Sequence, residues 1–158
     1  MENLPNSRTC FVCGDRNLAG LGVRFRTDGE AVYATATPRV EHTGYNDIVH
    51  GGVLAALMDE TMGWAPALAN RRFCVCVEIT VRYEKPVRIG SEITAVGRVT
   101  SAHRRIWEAE GEIRDASGAV CVRGKGRYMP VSDERTREVV DYLRFDDDCV
   151  PRERICRE

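Results

Sequence analysis

The sequence predicts an α+β fold in which one long central helix is wrapped by an antiparallel sheet of about six strands. Three observations carry this. Val53 to Leu68 is a nearly all-apolar, helix-like run with apolar residues on every side. From Phe73 the apolar period changes to two, and turn-forming connections separate the later strands. A length of 158 residues and 43% hydrophobic content fit one domain with a real core. Three parts are expected: an N-terminal arm over residues 1–20, a body over 21–131, and a short helix with a tail over 132–158.

Taken in order, the arm reads as irregular, with Pro5, Gly14 and Gly20. Alternation starts at Val23 and Phe25, and Thr27-Asp28-Gly29-Glu30 predicts a hairpin turn. Beyond it Val32, Ala34 and Ala36 alternate with Tyr33, Thr35 and Thr37 up to Pro38. Polar and Gly-containing residues from Glu41 to Asp47 lead to the helix, which is entered through His50-Gly51-Gly52 and expected to end near Pro66 to Asn70.

Past the helix, Phe73, Val75, Val77, Ile79, Val81 and Tyr83 are expected on one strand face, with Cys74, Cys76, Glu78, Thr80 and Arg82 on the other. Ser91 to Ser101, Arg104 to Asp115 and Ala119 to Met129 follow as three more strands, and their short connections predict an antiparallel meander. Ser132 to Arg144 predicts a short surface helix. The Asp146-Asp147-Asp148 and Arg-rich end reads as a mobile tail.

Twenty-three Lys and Arg against twenty-four Asp and Glu, without a block of one sign, argue against nucleic acid or membrane as a partner. The polar start lacks the apolar stretch of a secretory signal, so a cytoplasmic protein with seven free thiols is expected. The run Ile48 to Ala69 contains His50, Asp59 and Glu60, which argues against a membrane span.

A carboxylate in the middle of an apolar helix needs a reason, because an unpaired ionised carboxyl removed from water costs several kcal/mol or raises its pKa. Asp59 is read either as a reactive acid or as a structural one bonded to a strand or to an Arg such as Arg82 or Arg98. Glu60 points about 100° away. Gly51 and Gly52 leave backbone N–H groups unshielded at the positive end of the helix, where an oxyanion developing in acyl transfer is stabilised; the alternative is a Gly pair that serves a tight turn. Eight residues separate Gly51 from Asp59, roughly 12 Å along the axis. One chain cannot focus both on one carbonyl, so the spacing predicts a two-fold dimer in which each chain supplies one half.

His50 is a structural or substrate-orienting residue. Cys10-x-x-Cys13 has no second pair at zinc-ligand spacing, so no metal is expected. Arg82, Lys85, Arg88, Arg104 and Arg105 cluster at strand ends, where phosphates of a ligand would be held, with Arg82, Lys85 and Arg88 the named candidates. Trp64, Tyr45 and Phe73 are candidates for lining an apolar pocket.

His42-Thr43-Gly44-Tyr45, His50-Gly51-Gly52-Val53-Leu54-Ala55-Ala56-Leu57-Met58-Asp59-Glu60, the opening Cys10-Phe11-Val12-Cys13-Gly14 with Asn17 and Gly20-Leu21, and Tyr83 with Lys85-Pro86 and Gly90 resemble hotdog-fold acyl-CoA thioesterases of the phenylacetate-pathway type. The resemblance spans roughly residues 10 to 130. It implies a hotdog fold, acyl-CoA hydrolysis without metal or cofactor, and a homodimer or homotetramer. Gly51 would donate its N–H to the thioester carbonyl, and the partner's Asp59 would be nucleophile or general base. The Asn or Gln common before the His-Gly pair falls at Gly44 here, leaving His42 or Asn46 to substitute. The Ser or Thr of the following strand corresponds to Cys76. Two alternatives stand: a hotdog dehydratase or hydratase, whose helix acid would fall at Leu57, and a non-catalytic acyl-CoA-binding sensor.

Overall fold

The computed structural model describes residues 1–157, and its organising element is the 20-residue helix α1, Gly51–Asn70. His50 caps the helix, its Nδ1 accepting the Gly52 N–H at 2.9 Å. Pro66 has no N–H for an intrahelical bond, and Asn70 Nδ2 donates to its carbonyl at 2.9 Å. Arg71, in the left-handed region, ends the helix. Leu54, Leu57, Met58, Met62, Trp64 and Ala65 are buried against the sheet. Each of the larger side chains contributes about 1.5–3 kcal/mol by leaving water.

The sheet has seven strands, one more than expected: β1 (Glu2–Asn3), β2 (Phe25–Thr27), β3 (Ala31–Ala36), β6 (Cys74–Tyr83), β7 (Ile93–Ala102), β8 (Trp107–Asp115) and β9 (Val120–Pro130). A separate hairpin, β4 (Thr43–Tyr45) and β5 (Ile48–Val49), precedes α1, turning at Asn46 and Asp47 with φ of 46° and 61°. The order β1-β2-β3-β7-β8-β9-β6 corrects the simple meander. Of the four strands after the helix, only β7, β8 and β9 form one. β6 pairs with β9, because the connection from Glu84 to Glu92 is too long for a tight hairpin and carries the chain past two strands. One edge of the ten-residue β6 is therefore left unpaired.

A glycine row lets α1 approach closely. Gly97 pairs with Gly111 and Gly111 with Gly124. A Cβ at Gly97 would lie 2.7 Å from the Thr61 carbonyl oxygen, and one at Gly124 would lie 2.5 Å from Met58 Cγ. No side chain fits between sheet and helix there.

The single apolar face expected for β6 is broken by a bulge at Val77, where the register shifts between Cys76 and Glu78. One extra residue inverts the alternation. Cys76 stands opposite buried Tyr128, whereas beyond the bulge Ile79 and Val81 stand opposite Gly126 and Gly124. Cys74 and Cys76 thus share the helix-facing side with Ile79, Val81 and Tyr83. Val75 is turned outward beside Met129, both about half exposed.

The C-terminal segment is packed, which corrects the expected mobile tail. After α2 (Asp133–Tyr142), Asn6 and Arg144 exchange backbone hydrogen bonds of 3.2 and 2.9 Å. Arg24 pairs with Asp146 and Asp148 at 2.7 and 2.9 Å, and Val150 and Ile155 are buried. Ion pairs hold the acidic run, and the two apolar side chains anchor the residues beyond it. No helix among the described residues is long and apolar enough to cross a membrane.

Candidate active site

Asp59 lines a cavity of about 400 Å³ between α1, the start of β6, Tyr128 and the N-terminal arm. Its walls include Phe11, Trp64, Phe73 and Leu143, so the floor is apolar. Tyr45, exposed on the β4–β5 hairpin, is not part of it. A depression of about 440 Å³ on the opposite face of the sheet is lined mainly by charged groups such as Arg82, Arg98, Glu112 and Arg123. Neither helix carboxylate lines it, so the smaller cavity is the chemical candidate.

The Tyr128 hydroxyl donates to both the backbone carbonyl and Oδ1 of Asp59, at 3.1 Å each. Gly126 makes this possible: a Cβ there would lie 2.5 Å from the Tyr128 ring. Burial, then the Asp59 charge, pushes the Tyr128 hydroxyl pKa well up, so it remains a donor. Cys76, brought inward before the bulge, has its thiol pushed up to about 11 by burial and by hydrogen bonding to Asp59. Cys74 is pushed up to about 12 by burial. These thiols are neutral neighbours of the acid. Tyr128 escaped the sequence reading, although a lone tyrosine two residues past a glycine on an alternating strand was its visible signal.

Glu60 faces the arm, where Cys10 Sγ lies 3.0 Å from Glu60 Oε2. Burial lifts the Glu60 carboxyl to about 8. Cys13 lowers Cys10 to about 5 by hydrogen bonding, and its own pKa rises in return. The ligand atoms of Cys10, Cys13 and Glu60 all lie within 4.8 Å of one another, which the spacing of the cysteines alone did not disclose.

The helix entrance is a separate place. Gly51 N–H has no acceptor among the described residues, and the Tyr83 hydroxyl donates to the Gly51 carbonyl at 2.7 Å. A Cβ at Gly51 would meet the Tyr83 ring at 3.2 Å. The Gly52 N–H is taken by His50, which acts as the helix cap. Neither Gly51 nor His50 lines the Asp59 cavity.

His42, expected as one of two substitutes in the water-orienting role, is held by the backbone. Buried, its Nδ1 accepts the Arg39 N–H at 2.9 Å and its Nε2 lies 3.1 Å from the Ala19 carbonyl, so both ring nitrogens are occupied by backbone. Asn46 sits exposed at the hairpin tip and does not line the cavity. Arg82 lies on the outer face of the sheet opposite Arg123, and neither Arg98 nor Arg82 pairs with Asp59 among the described residues. Lys85 is the second residue of the connection after β6, its N–H bonded to the Cys121 carbonyl. Arg88 bridges to Ile48 and is the basic candidate set beside the helix entrance.

The thioesterase superfamily profile matches residues 46–122, which contain the entrance, Asp59 and most of the sheet. A solved thioesterase superfamily protein is 31% identical, with a TM-score of 0.71 over 77% of this chain; the match spans 63% of that protein's length. The Escherichia coli PaaI protein from the phenylacetic acid degradation operon is 19% identical, with a TM-score of 0.65 over 71% of this chain and 81% of its own. A Streptococcus mutans protein bound to acetyl-CoA is 15% identical, with a TM-score of 0.64 over 68% of this chain and 87% of its own. The last two likenesses are of fold. No curated protein matches the chain significantly. Residues 46–122 thus resemble the thioesterase superfamily, and the chain has the hotdog fold.

Proposed function

We propose that the chain is an acyl-CoA thioesterase whose reaction centre is shared by two protomers, Gly51 of one and Asp59 of the other. The carrying observation is the placement of these two groups at opposite ends of β6, whose outer edge is unpaired. Asp59 lies by Cys76 near the start of β6, and Gly51 lies under Tyr83 at its end. Antiparallel pairing of two β6 strands across a two-fold axis sets the Cys76 end of one against the Tyr83 end of its copy. Asp59 then meets a free N–H and a positive helix end. Val77, Ile79 and Tyr83, between 36% and 50% exposed, supply apolar surface for such a contact.

In this arrangement the acyl group enters the apolar cavity beside Asp59, and the Gly51 N–H stabilises negative charge on the thioester oxygen. Asp59, oriented by Tyr128, either activates water or attacks the carbonyl to form an anhydride that water opens. Thiolate departs without a general acid. The acetyl-CoA carried by a protein of the same fold supports the substrate class. Retention of Asp59 disfavours the sensor reading, and the apolar Leu57 disfavours the dehydratase reading.

The test is a panel of acyl-CoAs with a thiol-trapping dye. Asp59→Ala is expected to lose activity by ~10²–10⁴. Equal activity in both proteins would remove Asp59 from the mechanism. Mixing Asp59→Asn with Gly51→Val chains tests sharing: random exchange restores about a quarter of the sites, because half the dimers are mixed and each holds one intact centre. No recovery after confirmed exchange would place both groups in one chain. Oxygen-18 from solvent in the Asp59 carboxylate after one turnover marks the anhydride route.

A further inference from the structure

We propose that Cys10, Cys13 and Glu60 form a zinc site in the wall of the Asp59 cavity. The site binds the N-terminal arm to α1 and leaves one coordination position facing the cavity. The assignment is independent of thioester hydrolysis and reads a different ligand.

The donor set fits the ion. Two thiolates and a carboxylate are zinc ligands, and sulfur selects zinc over magnesium or calcium. Their three ligand atoms already lie within 4.8 Å of one another. Tetrahedral zinc with bonds of about 2.3 Å to sulfur and 2.1 Å to oxygen separates those two ligand atoms by about 3.6 Å. The Cys10 to Glu60 contact, 3.0 Å, is about 0.6 Å shorter than that value.

The backbone is shaped for metal-bound sulfur. Gly14 N–H donates to the Cys10 carbonyl at 3.0 Å, closing a turn so tight that a Cβ at Gly14 would lie 2.4 Å from that oxygen. The Val12 N–H donates to Cys10 Sγ at 3.3 Å and the Ser7 N–H to Cys13 Sγ at 3.5 Å. Amide hydrogens aimed at both sulfurs stabilise thiolates and orient them, as the outer partners of metal ligands do. Deprotonated on metal binding, two thiolates and a carboxylate together carry three negative charges beside an apolar floor. A divalent cation leaves one.

All three residues line the same cavity as Asp59, so the fourth position is open to water or to a ligand in that cavity. The ion would fix the arm that forms one wall, with Glu60 held next to Asp59 in sequence. Cys121, buried elsewhere, takes no part.

The experiment uses the full chain, produced with zinc in the medium and passed through chelator-treated buffer, with metal measured by mass spectrometry. About one zinc per chain is expected in the wild type. Cys10→Ser and Cys13→Ser lose it, Glu60→Gln weakens its retention, and Cys121→Ser keeps it. As a second readout, cobalt replacing zinc gives thiolate-to-metal charge-transfer and tetrahedral ligand-field bands that are absent from Cys13→Ser. The proposal is overturned by trace zinc only, by equal retention in Cys10→Ser and Cys13→Ser proteins whose circular dichroism matches the wild type, or by a Cys10–Cys13 disulfide in protein purified under reducing conditions.

Discussion

Replacing Gly97 by Ala tests whether the position of α1, and with it Asp59, is set by the glycine row. The new Cβ would lie 2.7 Å from the Thr61 carbonyl oxygen, 2.9 Å from its carbon and 3.0 Å from Met62 Cα. All three are helix backbone atoms, which cannot rotate aside as a side chain can. Reaching an ordinary contact of 3.4 Å requires α1 to retreat by 3.4 − 2.7, about 0.7 Å, two residues from Asp59. Overpacking of this kind costs about 1–3 kcal/mol, against which alanine in a strand recovers about 0.5–1. The net loss, about 0.5–2 kcal/mol, lowers Tm by roughly 1–8 °C for a chain of this size. Urea unfolding followed by tryptophan fluorescence measures it, with acyl-CoA turnover read on the same samples. Gly118→Ala is the control: its added carbon meets nothing within 4 Å, and its cost comes from φ at 83°. Both variants lose stability, but only Gly97→Ala lowers turnover. Wild-type stability and turnover in Gly97→Ala would refute the claim that the row sets the seat of the helix.

Tyr128→Phe removes the donor shared by the two Asp59 oxygens; a loss of about 1–2 kcal/mol in stability and about tenfold in kcat, with KM little changed, is expected from unfolding and steady-state assays. Gly51→Ala brings a Cβ to 3.2 Å from Tyr83 and tilts the first N–H. Turnover should fall about 10–100-fold while stability stays within about 1 kcal/mol, separating the entrance's chemical role from its packing. Asp28, at the β2–β3 turn, accepts from the Ala31 and Glu30 N–H groups and the Tyr33 hydroxyl at 2.8, 2.9 and 2.7 Å, which hold its pKa at about 2 instead of 3.8. Because the folded value is the lower one, its contribution is present above pH 4 and lost as pH falls toward 2. Wild type and Asp28→Asn should therefore differ in stability at neutral pH and converge near pH 2, as read by acid titration of circular dichroism.

The helix was legible because apolar residues surround Asp59 and Glu60, and the hairpin at Asp28-Gly29 because turn chemistry is local. The pairing of β6 with β9 was not, since alternation within Cys74–Tyr83 says nothing about its neighbour. Nor was the inversion at Val77, because one inserted residue leaves no mark in a run already rich in valine and cysteine. The consequence is local but decisive for the candidate site: Cys76 reaches Asp59 only because the pattern breaks after it. The hold on the His42 ring was not legible either, because the Ala19 carbonyl that meets its Nε2 lies more than twenty residues away. Tyr128 and the Cys10, Cys13 and Glu60 cluster depend on similar long-range closure, invisible to spacing along one segment.

The free margin of β6 has a bearing on handling the protein in dilute solution. The unpaired outer edge of this ten-residue strand, with half-exposed valines and a tyrosine, forms a template that an extended peptide can extend. Glu78, Arg82 and the twist imposed at Val77 are its built-in deterrents, so neutralising those charges should turn an orderly, saturable association into precipitation during refolding.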